Sequence, residues 1–120
     1  MAVVAVVDDD PSLLQALEYL LESQDYEVRL FGSAAALLAS DDFARVECLI
    51  TDVDMPGMDG FELLARVRAV RPALPAILIS GYPEKLDRPL DFERARRFAK
   101  PFRSEELLAA VRAAVGDPRS

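Results

Sequence analysis

Leu49-Ile50-Thr51-Asp52-Val53-Asp54-Met55-Pro56-Gly57 carries an apolar run into an acid and then turns over a proline and a glycine. A run this short falls below helix length and matches a strand covered on both faces, because such strands show no polar alternation. The spacing places a strand over Glu47 to Thr51 and delivers Asp52 to the point where the chain leaves the sheet. In open parallel sheets, ligands gather beyond the carboxyl ends of the strands, where side chains emerge and helix N-termini point their N–H groups. Asp52 is therefore the first functional candidate, although a lone aspartate here would serve equally well to hold the amides of the following turn.

The neighbouring segments repeat the pattern. Val3 to Val7 is a β-branched run without alternation, which reads as a central strand, and Asp8-Asp9-Asp10-Pro11 ends it. Asp10 before Pro11 reads as a helix cap, and Leu13, Leu14, Leu17, Leu20 and Leu21 recur at helical spacing to about Gln24. Glu27 to Phe31 alternates like a strand nearer an edge, and Gly32-Ser33 opens a second helix to about Ser40. Asp59-Gly60-Phe61-Glu62 has capping-box spacing for a third helix ending near Arg71, before Pro72 and Pro75. Ala76 to Ser80 is a fourth buried strand and Arg97 to Ala99 a short fifth. Ser104 is expected to cap a last helix, with Leu107, Leu108, Val111 and Val115 on one face and Gly116 as its stop. Regular strand–helix alternation predicts a doubly wound α/β sheet, since parallel strands need helical crossovers. The 120 residues are expected to form a single domain with its core between residues 3 and 115.

Composition narrows the chemistry. The net charge of −7 leaves no general phosphate-neutralising surface, so direct nucleic-acid binding by this segment is not expected. There is no histidine, which removes Ser-His-Asp and Cys-His catalysis and histidine metal ligation. The lone Cys48 lies in the buried strand and reads as a small core residue. No basic segment precedes the apolar run from Ala2 to Val7, so neither a signal peptide nor a membrane span is expected, and a cytoplasmic location fits.

The four strand ends carry Asp8 and Asp9, Asp52, Ser80, and Lys100, and in a doubly wound sheet they converge on one crevice. Taken singly, each has a plain structural role as a loop acid, a turn residue or a solvated charge. Together they form a chemical set. Three carboxylates in one crevice must share a proton or bind a cation, and an oxygen-ligand site of this kind suits Mg²⁺. A carboxylate is also a competent nucleophile toward phosphorus, with Lys100 and Ser80 available for the peripheral oxygens.

This layout closely resembles the receiver domain of two-component response regulators. The resemblance rests on the acid pair after the first strand, Asp52 followed by Met55-Pro56-Gly57-Met58-Asp59-Gly60, Ser80-Gly81 after the fourth strand and Lys100-Pro101-Phe102 after the fifth. It covers nearly the whole chain and implies a flavodoxin-like five-stranded sheet in the order 2-1-3-4-5. It further implies that Asp52 accepts a phosphoryl group from the phosphohistidine of a sensor kinase or phosphotransfer protein. Asp8, Asp9, Asp52 and the backbone carbonyl of Asp54 would hold Mg²⁺, Lys100 would pair with the phosphoryl oxygens, and Ser80 would move toward them. The Lys100–Pro101 bond is expected to be cis. Such a domain catalyses its own phosphorylation and dephosphorylation rather than turning over an external substrate, and switches a downstream output domain or partner, with a phosphorylation-dependent dimer as a further expectation.

Some features depart from that family pattern. The stretch from Ser80 to Lys100 is short and holds Pro83 and Pro89, so a reduced or irregular fourth helix is expected, with a further turn or two over Leu90 to Arg96. Arg97 stands where the family commonly has a switching aromatic, and Phe98, one residue later, would face the other side of the strand. Arg97 is thereby a candidate switch residue, swinging between the site's acids and solvent. The Asp54 carboxylate is a candidate modulator of phosphoryl lifetime. Three other readings compete: a phosphorylation-independent interaction domain of the same fold, an aspartate-nucleophile phosphatase suggested by Asp52-Val53-Asp54, and a flavodoxin-type cofactor binder. The second would place its acid pair after the first strand, and the third lacks a hydroxyl- and glycine-rich phosphate loop.

Overall fold

The computed structural model describes residues 2–87 and 95–118. Its elements are β1 (Val3–Val7), α1 (Pro11–Glu22), β2 (Glu27–Phe31), α2 (Ala34–Leu38), β3 (Cys48–Asp52), α3 (Gly60–Val70), β4 (Ala76–Ser80), α4 (Pro83–Leu86), β5 (Ala95–Ala99) and α5 (Ser104–Val115). The strands form one parallel sheet in the order β2-β1-β3-β4-β5, as the resemblance implies.

Strand side chains alternate between faces, and this alternation divides the core in two. Val3, Ala5, Val7, Leu49 and Leu78 pack with Ala34 and Leu37 of α2, Leu63, Leu64 and Val67 of α3, and Leu86 of α4. Val4, Val6, Cys48, Ile50, Ile77 and Ile79 pack with Leu17 and Leu21 of α1 and Leu107, Leu108 and Val111 of α5. Both faces of β1, β3 and β4 are thus buried, which accounts for their unbroken apolar sequence. Cys48 is a core residue, its thiol pushed up to about 12 by burial.

The caps follow the sequence at three helices. Asp10 accepts from the Ser12 amide at 2.9 Å, Ser33 from the Ala36 amide at 3.1 Å and Asp59 from the Glu62 amide at 2.9 Å. The fourth case differs. Arg103, not Ser104, holds the cap position of α5, with extended backbone and no side-chain cap, and Ser104 is already helical. Glu105 and Glu106 in the first turn supply the negative charge that a helix N-terminus favours.

Several boundaries shift. The second helix stops at Leu38 and a 3₁₀ turn covers Asp41–Arg45, with Ser40 accepting from the Asp42 amide at 3.0 Å. β3 extends to Asp52, which pairs with Ile79, so the acid is the last strand residue rather than the first loop residue. α4 is a single turn beginning at Pro83, in line with the expected reduction. The further turn expected over Leu90 to Arg96 falls largely outside the described residues, and Ala95 and Arg96 belong to β5. Arg97 shares the strand face of Ala95 and Ala99, which pack on the α2–α3 side, while Phe98 packs on the α1–α5 side. The aromatic ring is therefore on the opposite face, as the one-residue offset requires.

Gly60 marks where α3 presses on the end of β3. A Cβ there would lie 2.5 Å from the Asp52 carbonyl oxygen and 2.8 Å from Val53 Cα, both backbone atoms that cannot swing away. Gly60→Ala is expected to lower unfolding free energy by about 1–3 kcal/mol, read as a reduced urea midpoint at unchanged slope.

Candidate functional site

The alternation that builds the core also builds the site. Asp8 continues the β1 face that carries Val4 and Val6, and Asp52 continues the β3 face that carries Cys48 and Ile50. Lys100 follows Phe98 on the same face of β5. All three therefore emerge on the α1–α5 side of the carboxyl edge, whereas Ser80 has the parity of Ala76 and Leu78 and emerges toward α3 and α4.

Asp8 and Asp52 are buried at 0% and 3% exposure, while Asp9 is exposed. One carboxylate oxygen from each of Asp8, Asp9 and Asp52 lies within 4.8 Å of the others. Lys100 Nζ stands 3.5 Å from both Asp8 Oδ2 and Asp52 Oδ1. Those same two oxygens are buried without a hydrogen-bond partner. Asp8 spends its other oxygen on the Asp10 amide at 2.8 Å. The Lys100–Pro101 bond is cis, as expected.

Among the described residues, three carboxylates against one ammonium leave the crevice with excess negative charge. Within 4.8 Å, the buried Asp8 and Asp52 carboxylates repel by about 3.5 kcal/mol or more at an effective dielectric constant of about 20, and solvent screens the exposed Asp9 further. Burial pushes the Asp8 carboxyl up to about 6; the Asp10 amide opposes this, the Asp52 charge adds to it, and Lys100 opposes it. Burial likewise raises Asp52, against the pull of Lys100. The donor set, hard oxygens in excess negative charge with two unsatisfied lone-pair sites, fits a small divalent cation such as Mg²⁺.

A second group adjoins the first. Ser80 Oγ donates to Asp54 Oδ2 at 2.6 Å and accepts from the Tyr82 amide at 3.0 Å. Lys85 Nζ lies 2.7 Å from Asp54 Oδ1 and 4.9 Å from the centre of the Tyr82 ring. Burial alone would raise Asp54, but hydrogen bonds from Lys85 and Ser80 outweigh it and hold the carboxyl below its usual value. Asp54 thus commits both carboxylate oxygens to Ser80 and Lys85.

The residues singled out in the sequence therefore divide. Asp8, Asp9, Asp52 and Lys100 share one cluster; Ser80 and Asp54 bond to each other beside it. Arg97 donates to the Leu86 carbonyl at 2.6 Å, tying β5 to the end of α4. Lys85 was not legible beforehand, because it meets Asp54 across 31 positions and only the fold of the β4–α4 segment joins them.

The family model described as the response regulator receiver domain matches residues 4–112. The response regulator protein TodT of Pseudomonas putida is 36% identical over 119 residues, covering 95% of this chain and 51% of that protein. The transcriptional regulatory protein FixJ of Bradyrhizobium diazoefficiens is 34% identical, covering 93% of this chain and 56% of its own. The chain thus spans about half the length of these curated relatives. Among solved structures, the chemotaxis protein CheY4 of Vibrio cholerae superposes with a TM-score of 0.84 at 31% identity, covering 96% of this chain and 99% of that one. Among the described residues no helix is long and apolar enough to cross a membrane.

The raised Asp8 carboxyl fixes a sign for pH dependence. The folded state holds the Asp8 proton more tightly than the unfolded state, so this contribution is full below 3.8 and is lost as pH rises through about 6. Metal-free protein is therefore expected to lose stability across that window. Asp8→Asn, which keeps the acceptor for the Asp10 amide, is expected to remove that loss and raise neutral-pH stability by about 1–3 kcal/mol, measured by urea unfolding in chelator.

Proposed function

This chain belongs to the response regulator receiver domain family, and from that premise we propose that Asp52 is its phosphoryl acceptor and that the described cluster is the transfer site. The observation that carries the reading is the set of Asp8, Asp9 and Asp52 oxygens within 4.8 Å of one another, with Lys100 Nζ 3.5 Å from two of these aspartates.

In this reading Asp52 Oδ attacks the phosphorus of a phosphohistidine on a sensor kinase or phosphotransfer protein. The phosphorus–oxygen bond forms as the phosphorus–nitrogen bond breaks, and the imidazole leaves with its electron pair. Asp8, Asp9, Asp52 and the Asp54 backbone carbonyl hold Mg²⁺. When bound, that ion neutralises charge on the transferring group. Lys100 supplies an ammonium for a peripheral phosphoryl oxygen, set beside the buried carboxylates of Asp8 and Asp52. Hydrolysis returns the Asp52 carboxylate when water attacks phosphorus and the acyl-phosphate bond breaks. The chain acts as a receiver module, and phosphorylation shifts a surface equilibrium read by an output domain or partner.

The test is intact mass after incubation with Mg²⁺ and acetyl phosphate. One added phosphoryl group is expected on the wild type, none in chelator and none on Asp52→Ala. An adduct that survives Asp52→Ala, or no adduct with Mg²⁺ present, would remove Asp52 as acceptor and favour an interaction domain of the same fold.

A further inference from the structure

We propose that Asp54 and Lys85 form a latch that parks the Ser80 hydroxyl in the unphosphorylated protein, so that phosphoryl occupancy of Asp52 is opposed by a bond that must first break. This inference rests on the reading of Asp52 as phosphoryl acceptor and concerns how that site is regulated.

The latch follows from proton counting and from strand parity. A serine hydroxyl has one proton to donate. Here two acceptors face that proton, Asp54 Oδ2 at 2.6 Å and the Tyr82 carbonyl at 3.2 Å, and the short, charge-assisted bond to Asp54 is the stronger. Ser80 cannot hold Asp54 and donate to a phosphoryl oxygen on Asp52 at the same time. Ser80 also has the strand parity of the α3–α4 face, whereas Asp52 has that of the α1–α5 face, and the partners of the Ser80 hydroxyl are Asp54 and Tyr82.

Two neighbours fix the parked state. The Tyr82 amide donates to Ser80 Oγ at 3.0 Å, which orients the hydroxyl. Lys85 Nζ holds the second oxygen of Asp54 at 2.7 Å and lies over the Tyr82 ring. Asp54 thus stays charged and stays turned toward Ser80. Lys85 sits on α4, and the last residue of α4, Leu86, accepts from Arg97 of β5 at 2.6 Å. Release of Ser80 removes one of the two side-chain bonds on Asp54 and so loosens the path from the acceptor site to α4 and β5.

The experiment measures affinity for beryllofluoride, a stable phosphoryl mimic, with Mg²⁺ in excess. Wild type, Asp54→Ala, Ser80→Ala and the double variant form a cycle. Removing the parking acceptor is expected to tighten beryllofluoride binding about tenfold, since a charge-assisted hydrogen bond no longer has to break. Asp54→Asn, which keeps a neutral acceptor and the side-chain shape, is expected to fall between wild type and Asp54→Ala. In the Ser80→Ala background the gain is expected to vanish. A gain of equal size there would show simple charge removal and overturn the latch, as would no gain at all in Asp54→Ala.

A metal-free readout complements the cycle. The Tyr82 amide is expected to exchange several-fold faster in Asp54→Ala and Lys85→Met than in wild type; an unchanged rate in Asp54→Ala would contradict the parked hydroxyl, and one in Lys85→Met would strike Lys85 from the latch. Wild-type protein that binds beryllofluoride with no response to Asp54→Ala would overturn the latch alone. Wild-type protein that does not bind it at all would overturn both the latch and the acceptor reading.

Discussion

Repulsion between Asp8, Asp9 and Asp52, held against Lys100, is the interaction on which the rest of this site depends. No local preference would gather three carboxylates, two of them buried. They are gathered because β1 and β3 are hydrogen-bonded neighbours in a parallel sheet, with Val7 opposite Thr51, so that the next residues of both strands leave the same edge together. The cost of this arrangement is met by burial elsewhere. Val4, Val6, Cys48, Ile50, Ile77 and Ile79 pack between α1 and α5 directly beneath the acids, and a one-residue slip of either strand would send its acid to the other face. The same register that fills the core therefore imposes the charge density that the chemistry uses.

Side-chain parity also separates two tasks within one crevice. Asp8, Asp52 and Lys100 belong to the α1–α5 face and carry the charge; Ser80, Asp54 and Lys85 meet on the α3–α4 side as a hydrogen-bonded pair of opposite charges with a hydroxyl between strand and helix. The first group is under electrostatic stress and the second is satisfied. A cation or phosphoryl group placed in the first would add the attraction it lacks, and whatever moves Ser80 would disturb the second. Short α4 then matters because its one turn carries Lys85 and ends at the carbonyl held by Arg97.

Most of the fold was legible because the buried strands advertise themselves as unbroken apolar runs and the helices as leucine spacing after Asp10, Ser33 and Asp59. The strand-end residues were legible for the same reason, since topology alone brings the ends of parallel strands to one edge. Three kinds of detail were not. The cap of α5 went to Arg103 because first-turn acids favour that helix terminus without a side-chain cap. The 3₁₀ turn at Asp41–Arg45 depends on a local Ser40 bond that competes with continuing α2. The partner that holds Ser80 is Asp54, and the placement of Lys85 that completes the arrangement arises from the path of the chain after Pro83. Long-range polar pairs of this kind leave no periodic trace in a sequence.

The account stands on the claim that the buried acids are short of positive charge and that Mg²⁺ supplies it. The most direct measurement is calorimetric titration of metal-free protein with Mg²⁺ in two buffers of different ionisation enthalpy, at a pH near the Asp8 value of about 6 and again well above it. One Mg²⁺ per chain is predicted, with proton release near the lower pH, because the cation displaces the proton that Asp8 holds there, and almost none at the higher pH. Absence of Mg²⁺ binding at either pH, or binding near the lower pH with no proton released, would contradict it.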